Sequence, residues 1–182
     1  NETNLPVCND RPVDPELSCP STYRGTMEEH AAFIIQAYAL GAAAGVERIF
    51  AFQHYDDFVG PHEWYGLIRN DGTPRPAYKA YATAARYLSN PTTVSRETRG
   101  DLEIVVFRGT PNGRVTVLWN RSPVKAQYAI PALSSAATLI DKYGATSLIY
   151  ARIGLYYLEL NGATHFDPVV RRYDLGGDPV LI

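Results

Sequence analysis

Apolar residues follow a helical spacing near the start of the chain, after a stretch that has no periodicity. Residues 5–25 are rich in Pro, Asp and Ser and predict a long loop. Thr26 and Glu29 then form a capping-box pattern, which predicts that a helix begins at Thr26. Gly45 is expected to end this helix. Its apolar spacing predicts one buried stripe, made of Ala31, Ile34, Ile35, Tyr38, Ala39 and Ala42.

A short apolar run and a second helix complete the first half of the chain. The run over residues 46–52 predicts a buried strand. Pro76 suits the first position of a helix, and the Asn90-Pro91 pair is expected to end it. The predicted apolar face of this helix consists of Tyr78, Tyr81, Ala82, Ala85 and Leu88. Residues 1–91 therefore indicate α/β architecture.

After residue 92 the apolar pattern changes to a period of two, which is typical of strands. The runs 102–108 and 114–120 flank a Gly- and Pro-containing connection and predict a hairpin. A last run, 178–182, predicts an edge strand with Pro179 at its start. Further short strands are predicted over 124–130, 137–140, 148–152 and 155–160. Residues 92–182 are therefore predicted to form an antiparallel β-sandwich.

Length and charge exclude several classes of protein. The 182 residues are too few for a complete (β/α)₈ barrel, which needs about 250. The net charge of −2 argues against electrostatic capture of nucleic acid. No apolar run approaches the roughly 20 residues of a membrane span. Because the chain opens at Asn1 with no leader pattern, we expect a processed chain or a fragment.

Three segments resemble the last quarter of a clan A glycoside hydrolase barrel. They are the opening Glu2-Thr3-Asn4, the run 47–52, and residues 65–80 with the sequence YGLIRNDGTPRPAYKA. In that clan a Thr-Glu or similar dipeptide ends strand seven, and a GL-x-x-x-DG-x-P-[KR]-PAY motif precedes the last helix. The tail resembles the β-sandwich that xylosidase-like and cellulase-like members carry after the barrel. The resemblance implies the last two β/α units of an incomplete (β/α)₈ TIM barrel over 1–91, followed by a sandwich domain over 92–182.

The same resemblance implies an activity and a nucleophile. Glu2 falls where the clan keeps the carboxylate that attacks the anomeric carbon in retaining hydrolysis. The acid/base partner belongs to strand four and lies outside this chain, so the chain alone is expected to be inactive. The implied substrate is a β-linked glycoside or polysaccharide, and no cofactor is needed.

Polar and aromatic residues after the strand 46–52 are candidates for substrate contact, because functional groups gather at the carboxyl ends of barrel strands. His54, Tyr55 and Asp57 could shape a sugar subsite, or they could instead hydrogen-bond loops at the barrel rim. Trp64 could stack on a sugar ring or anchor its loop against the core. No metal site is predicted, because the spacing of His54, Asp56, Asp57, His62 and Glu63 matches no short ligand motif.

The two cysteines bear on the compartment. Cys8 and Cys19 would close a loop as a disulfide in an exported protein, whereas both would stay reduced in cytosol. The cysteine pair favours an extracellular or periplasmic location.

Two other functions are compatible with the sequence. A non-catalytic carbohydrate-binding or adhesion module would present a row of aromatic side chains on one sheet face, with Trp119, Tyr128, Tyr150 and Tyr156 as candidates. A spacer domain that only covers the barrel would need none of these residues.

Overall fold

The computed structural model describes residues 2–8, 10, 24–56, 64–169 and 171–182. Within these ranges the fold is mixed and strand-rich, with two helices. In chain order the elements are β1 (Glu2–Thr3), α1 (Met27–Ala43), β2 (Phe50–Ala51), α2 (Pro76–Leu88), β3 (Thr93–Arg99), β4 (Leu102–Thr110), β5 (Gly113–Asn120), β6 (Ala126–Pro131), β7 (Ala136–Ile140), β8 (Thr146–Tyr150), β9 (Leu155–Leu160), β10 (Phe166–Asp167), β11 (Arg172–Tyr173) and β12 (Val180–Leu181).

The start of α1 is as predicted. The backbone N–H of Glu29 donates to the Thr26 hydroxyl at 3.1 Å, and the N–H of Thr26 donates to the Glu29 carboxylate at 2.8 Å. These reciprocal bonds satisfy two N–H groups that the first turn leaves without a helical acceptor. Most of the predicted stripe is buried, namely Ala31, Ile34, Ile35 and Ala39, whereas Tyr38 and Ala42 are partly buried.

The predicted face of α2 is wrong apart from Leu88. Tyr78, Tyr81, Ala82 and Ala85 are exposed, and the buried face consists of Ala77, Ala80, Thr83, Ala84 and Leu88. Apolar residues run around most of this helix, so two stripes with helical spacing can be drawn on it. The structure buries the alanine stripe, because small side chains let α2 pack closely against α1.

The predicted strand 46–52 is much shorter in the structure, where β2 contains only Phe50 and Ala51. It pairs in parallel with β1, and the register places Glu2 opposite Phe50 and Thr3 opposite Ala51. Because α1 lies between these two strands in the chain, β1, α1 and β2 form a β–α–β unit with its strand ends side by side.

The second half contains a six-stranded antiparallel sheet in the order β3-β4-β5-β12-β7-β8. The predicted hairpin is confirmed as β4–β5, with Thr110 opposite Gly113. Strand β3 was not predicted, because its residues are mostly polar and exposed, as suits an edge strand.

The edge position predicted for the last strand is wrong. β12 lies inside the sheet, paired with β5 on one side and β7 on the other. Leu181 is completely buried there, opposite Val117 and Ile140. Pro179 precedes the strand, so the backbone donors that the central position requires are retained.

The six-stranded sheet has an apolar cluster on each face. Val105 and Phe107 of β4 pack with α1 and α2, whereas Leu102 and Ile104 pack with the separate antiparallel pair β6–β9. The helix-side cluster contains buried residues from both sides of residue 91, so the two predicted domains share one core. Neither of the helices in the described ranges has the length and apolarity to cross a membrane.

Candidate functional site

The carboxyl ends of β1 and β2 are joined by the side chain of Asn4. Its Nδ2 donates to the carbonyl oxygens of Phe52 at 2.5 Å and Tyr65 at 2.6 Å. Its Oδ1 accepts from the backbone N–H of Leu5 at 2.9 Å and lies 2.8 Å from Nε2 of His30. One amide therefore connects the ends of both parallel strands, the following loop and helix α1. We call this group the Asn4 clamp.

The protonation of His30 follows from these contacts. Because both carbonyl bonds require Nδ2 of Asn4, its Oδ1 must accept, and His30 must carry its proton on Nε2. Burial, together with the nearby positive charge of Arg75, lowers the pKa of His30 to about 3. The imidazole is therefore neutral at ordinary pH and acts as a donor within the clamp.

A second group of polar contacts is ionic and is centred on Arg75. Arg75 is completely buried, and its guanidinium donates to both oxygens of Asp56, at 2.9 and 2.7 Å, and to Asp10 at 2.7 Å. It also donates to the carbonyl oxygen of Gly66 at 2.6 Å. Arg69 donates to Asp10 at 2.7 Å. This buried network ties the loops that follow β1 and β2 to the start of α2, and it leaves the Asp56 carboxylate fully engaged.

Aromatic side chains lie exposed around the same strand ends. Phe50 in β2 is 55% exposed, and Tyr55 just beyond it is 56% exposed. The ring of His54 meets that of Tyr55 edge-on at 4.7 Å, and Phe52 meets Tyr65 in the same manner at 5.7 Å. Flat apolar faces are thus open at the edge where β1 and β2 end.

The structure places several of the predicted site residues. Glu2 occupies β1 as the register partner of Phe50, and His54 and Tyr55 lie next to one another on the exposed side. Trp64 is partly buried, and its backbone carbonyl accepts from the N–H of Val7 at 2.9 Å. Asp57 lies outside the described residues, as do His62 and Glu63. Within the described ranges, no group of three or more His, Cys, Asp or Glu side chains is placed to hold a metal ion.

Sequence reasoning did not identify Asn4 or Arg75 as site residues. The one available signal for Arg75 is its basic position in the motif that precedes α2, between two prolines. For Asn4 there is no local signal, because its partners are Phe52 and Tyr65, far along the chain.

Cys8 is buried and disulfide-bonded. The other cysteine of the chain, Cys19, lies outside the described residues, so the pairing of the two stays a prediction.

The aromatic residues considered for a binding module do not form an exposed row. Trp119 and Tyr156 are buried, Tyr128 is partly buried, and Tyr150 alone among them is exposed.

Among solved structures, similar folds are found in glycoside hydrolases. A family 39 glycoside hydrolase from Bacteroides cellulosilyticus WH2 is similar over 89% of this chain, with a TM-score of 0.63 and 22% identity. A family 30 endoxylanase from Clostridium papyrosolvens C71 is similar over 84%, with a TM-score of 0.51 and 12% identity. A family 30 subfamily 8 xylanase from Clostridium acetobutylicum is similar over 87%, with a TM-score of 0.53 and 13% identity.

The likeness covers only part of each of these proteins. The chain spans 31%, 36% and 39% of their respective lengths. No protein-family model and no curated protein sequence matches the chain. At these identities the likeness concerns the fold alone, which is similar to part of the fold of these glycoside hydrolases.

Proposed function

We propose that this chain is part of a retaining glycoside hydrolase that cleaves β-linked glycosides or polysaccharides. In this proposal residues 1–91 are the last two β/α units of a (β/α)₈ barrel, and residues 92–182 are a β-sandwich domain. The observation that carries the proposal is the likeness of 89% of the chain to a family 39 glycoside hydrolase. The parallel β1–β2 pair, with α1 as its crossover, supports the barrel assignment.

Glu2 is the proposed nucleophile. Its strand lies in a parallel pair, and the carboxyl ends of such strands carry the catalytic groups of barrel enzymes. In the first step the carboxylate attacks the anomeric carbon while a second carboxylic acid, about 5–5.5 Å away, protonates the departing glycosidic oxygen. Water then attacks the glycosyl ester, and the second group, now a carboxylate, takes its proton. That second group lies outside this chain.

The exposed rings near β2 suit the binding of a sugar. Pyranose rings present flat C–H faces that pack on aromatic side chains, and Phe50 and Tyr55 expose such surfaces beside the strand end. We assign substrate contact to His54, Tyr55, Asp57 and Trp64.

The Asn4 clamp gives the nucleophile a fixed position in this proposal. Asn4 is two residues beyond Glu2 and joins that strand end to Phe52 and Tyr65. Reacting groups must be held within a fraction of an ångström, because a displacement of about 1 Å can cost about 100-fold in rate.

The test is hydrolysis of aryl β-glycosides and of xylan by the complete gene product that carries this chain. Glu2→Gln keeps the shape of the side chain but removes the nucleophilic carboxylate, so we expect kcat to fall by about 1000-fold or more with little change in KM. Glu47→Gln, at an exposed glutamate near β2, is the matched control and should keep full activity. Adding azide to Glu2→Gly should restore turnover. Full activity in Glu2→Gln would refute the assignment.

A further inference from the structure

A cavity of about 220 Å³ lies away from the strand ends, where three parts of the fold meet. Helix α1 contributes Gln36, strand β4 contributes Glu103, the residue after β5 is Arg121, and the segment around β11 contributes Arg172 and Asp174. We call this cavity the arginine pocket. Because it is formed by residues distant in sequence, its shape depends on the folded structure.

Both carboxylates of the arginine pocket already have hydrogen-bond donors. The side chain of Glu103 is buried and accepts two bonds from Arg96, at 2.7 and 3.0 Å. Asp174 accepts from Nδ1 of His165 at 2.6 Å. The hydrogen bond and negative charge of Asp174 raise the pKa of that histidine, although burial alone would lower it. Glu103 is therefore paired with the Arg96 guanidinium, and Asp174 is hydrogen-bonded to a ring nitrogen of His165.

Two further guanidinium groups line the same cavity. Arg121 comes no closer to Glu103 than 3.8 Å, and about half of its side chain is exposed. Arg172 is exposed, and its guanidinium has no carboxylate or carbonyl partner among the residues that the structure describes. The pocket therefore has more positive than negative charge, with hydrogen-bond donors still available.

The walls of the pocket add apolar surface beside these charges. Trp119, which is buried, and the partly exposed Tyr173 line it together with Leu40. A concave site with apolar walls and a few convergent charged donors is typical of sites for small ligands. A planar guanidinium fork matches the oxygen pair of a carboxylate or a phosphate.

We propose that the arginine pocket binds a small oxyanion, a carboxylate or a phosphate, between Arg121 and Arg172. The anion supplies the hydrogen-bond acceptor that Glu103, 3.8 Å from Arg121, and Asp174 do not provide to these two arginines. This site is independent of Glu2 and of the proposed hydrolase activity.

The test is isothermal titration calorimetry on the full chain with inorganic phosphate and, separately, with sodium glucuronate. These probes distinguish a phosphate from a sugar carboxylate, and glucose is the uncharged control. We expect saturable binding of one anion per chain for at least one of the two probes and none for glucose. Affinity should fall at higher salt, because the attraction is between a partly exposed cation and an anion.

Four variants test whether the anion binds in the arginine pocket. Arg121→Gln and Arg172→Gln should each weaken binding at least about tenfold, since each removes charge-assisted hydrogen bonds. Arg121→Lys keeps the charge without the fork and should give a smaller loss. Arg48→Gln, at an exposed arginine outside the pocket, is the matched control and should bind as the unmodified chain does. Circular dichroism confirms that each variant is folded. Absence of saturable binding for both anions, or unchanged affinity in folded Arg121→Gln and Arg172→Gln, would overturn the proposal.

Discussion

Nε2 of His30 donates to Oδ1 of Asn4 over 2.8 Å, and this bond orients the amide that joins the two parallel strands. With its oxygen held by the histidine, the Asn4 amide nitrogen faces the carbonyls of Phe52 and Tyr65. A completely buried imidazole therefore sets the geometry at the strand end that carries Glu2.

Replacing Asn4 by alanine is expected to destabilise the chain by about 3 kcal/mol, because two carbonyls, the imidazole donor of His30 and the backbone N–H of Leu5 lose their partner. Urea denaturation followed by circular dichroism measures the change. In the complete gene product, the same substitution should lower kcat by about 100-fold through displacement of Glu2. Asn70→Ala, at an asparagine of the turn before α2, is the control. Equal stability of the two variants would show that the clamp does not stabilise the fold.

The free energy of unfolding should fall as the pH drops below 6.5. The pKa of His30 is about 3 in the folded chain against an ordinary 6.5, so between these values the unfolded chain binds the extra proton. The part of the free energy of unfolding that comes from neutral His30 is complete above pH 6.5 and is lost towards pH 3. Over this range the free energy of unfolding changes by up to about 1.4 kcal/mol per pH unit. Urea denaturation at a series of pH values measures it.

His30→Gln, which keeps a donor for Asn4, should remove this part of the pH dependence. His165 contributes with the opposite sign, because its pKa is raised and its stabilisation is lost as the pH rises through the folded pKa. If His30→Gln loses as much stability at low pH as the unmodified chain, His30 is not the source of this pH dependence.

Arg75→Met should cost about 3–5 kcal/mol, because it leaves the buried carboxylates of Asp10 and Asp56 without their common counter-ion. Arg99→Met is the control, since Arg99 pairs with Glu97 at the surface, where an ion pair contributes little to stability. Thermal unfolding compares the two. Similar melting temperatures for the two variants would mean that the Arg75 network contributes no more to stability than a surface ion pair does.

Residues 92–182 alone should be less stable than the full chain and should bind the dye ANS. Val105, Phe107 and Val117 are buried against the helices in the full chain, and removing residues 1–91 would expose them. ANS fluorescence and thermal unfolding of the shorter chain check this. If residues 92–182 had the same melting temperature as the full chain and did not bind ANS, the shared core would not make the stability of the second half depend on the first.

Local patterns predicted what depends on neighbours in sequence. The capping box at Thr26 and the β4–β5 hairpin each follow from a few adjacent residues, and both are confirmed. The central place of β12 depends on Leu181 packing beside Val117 and Ile140, which a five-residue window does not contain.

The candidate site was less predictable for the same reason. Arg75 meets Asp10 across 65 positions, and Asn4 meets Tyr65 across 61. Polar residues with such distant partners carry no periodic signal, so the sequence indicated the strand end but not the groups that hold it.

The most direct test of the central claim is the capture of the glycosyl-enzyme. A retaining hydrolase treated with a 2-deoxy-2-fluoro glycoside bearing a good leaving group accumulates an ester between the sugar and its nucleophile, because fluorine slows the second step. Peptide mass spectrometry of the labelled gene product should find the sugar on Glu2. A label on any other residue would contradict the assignment.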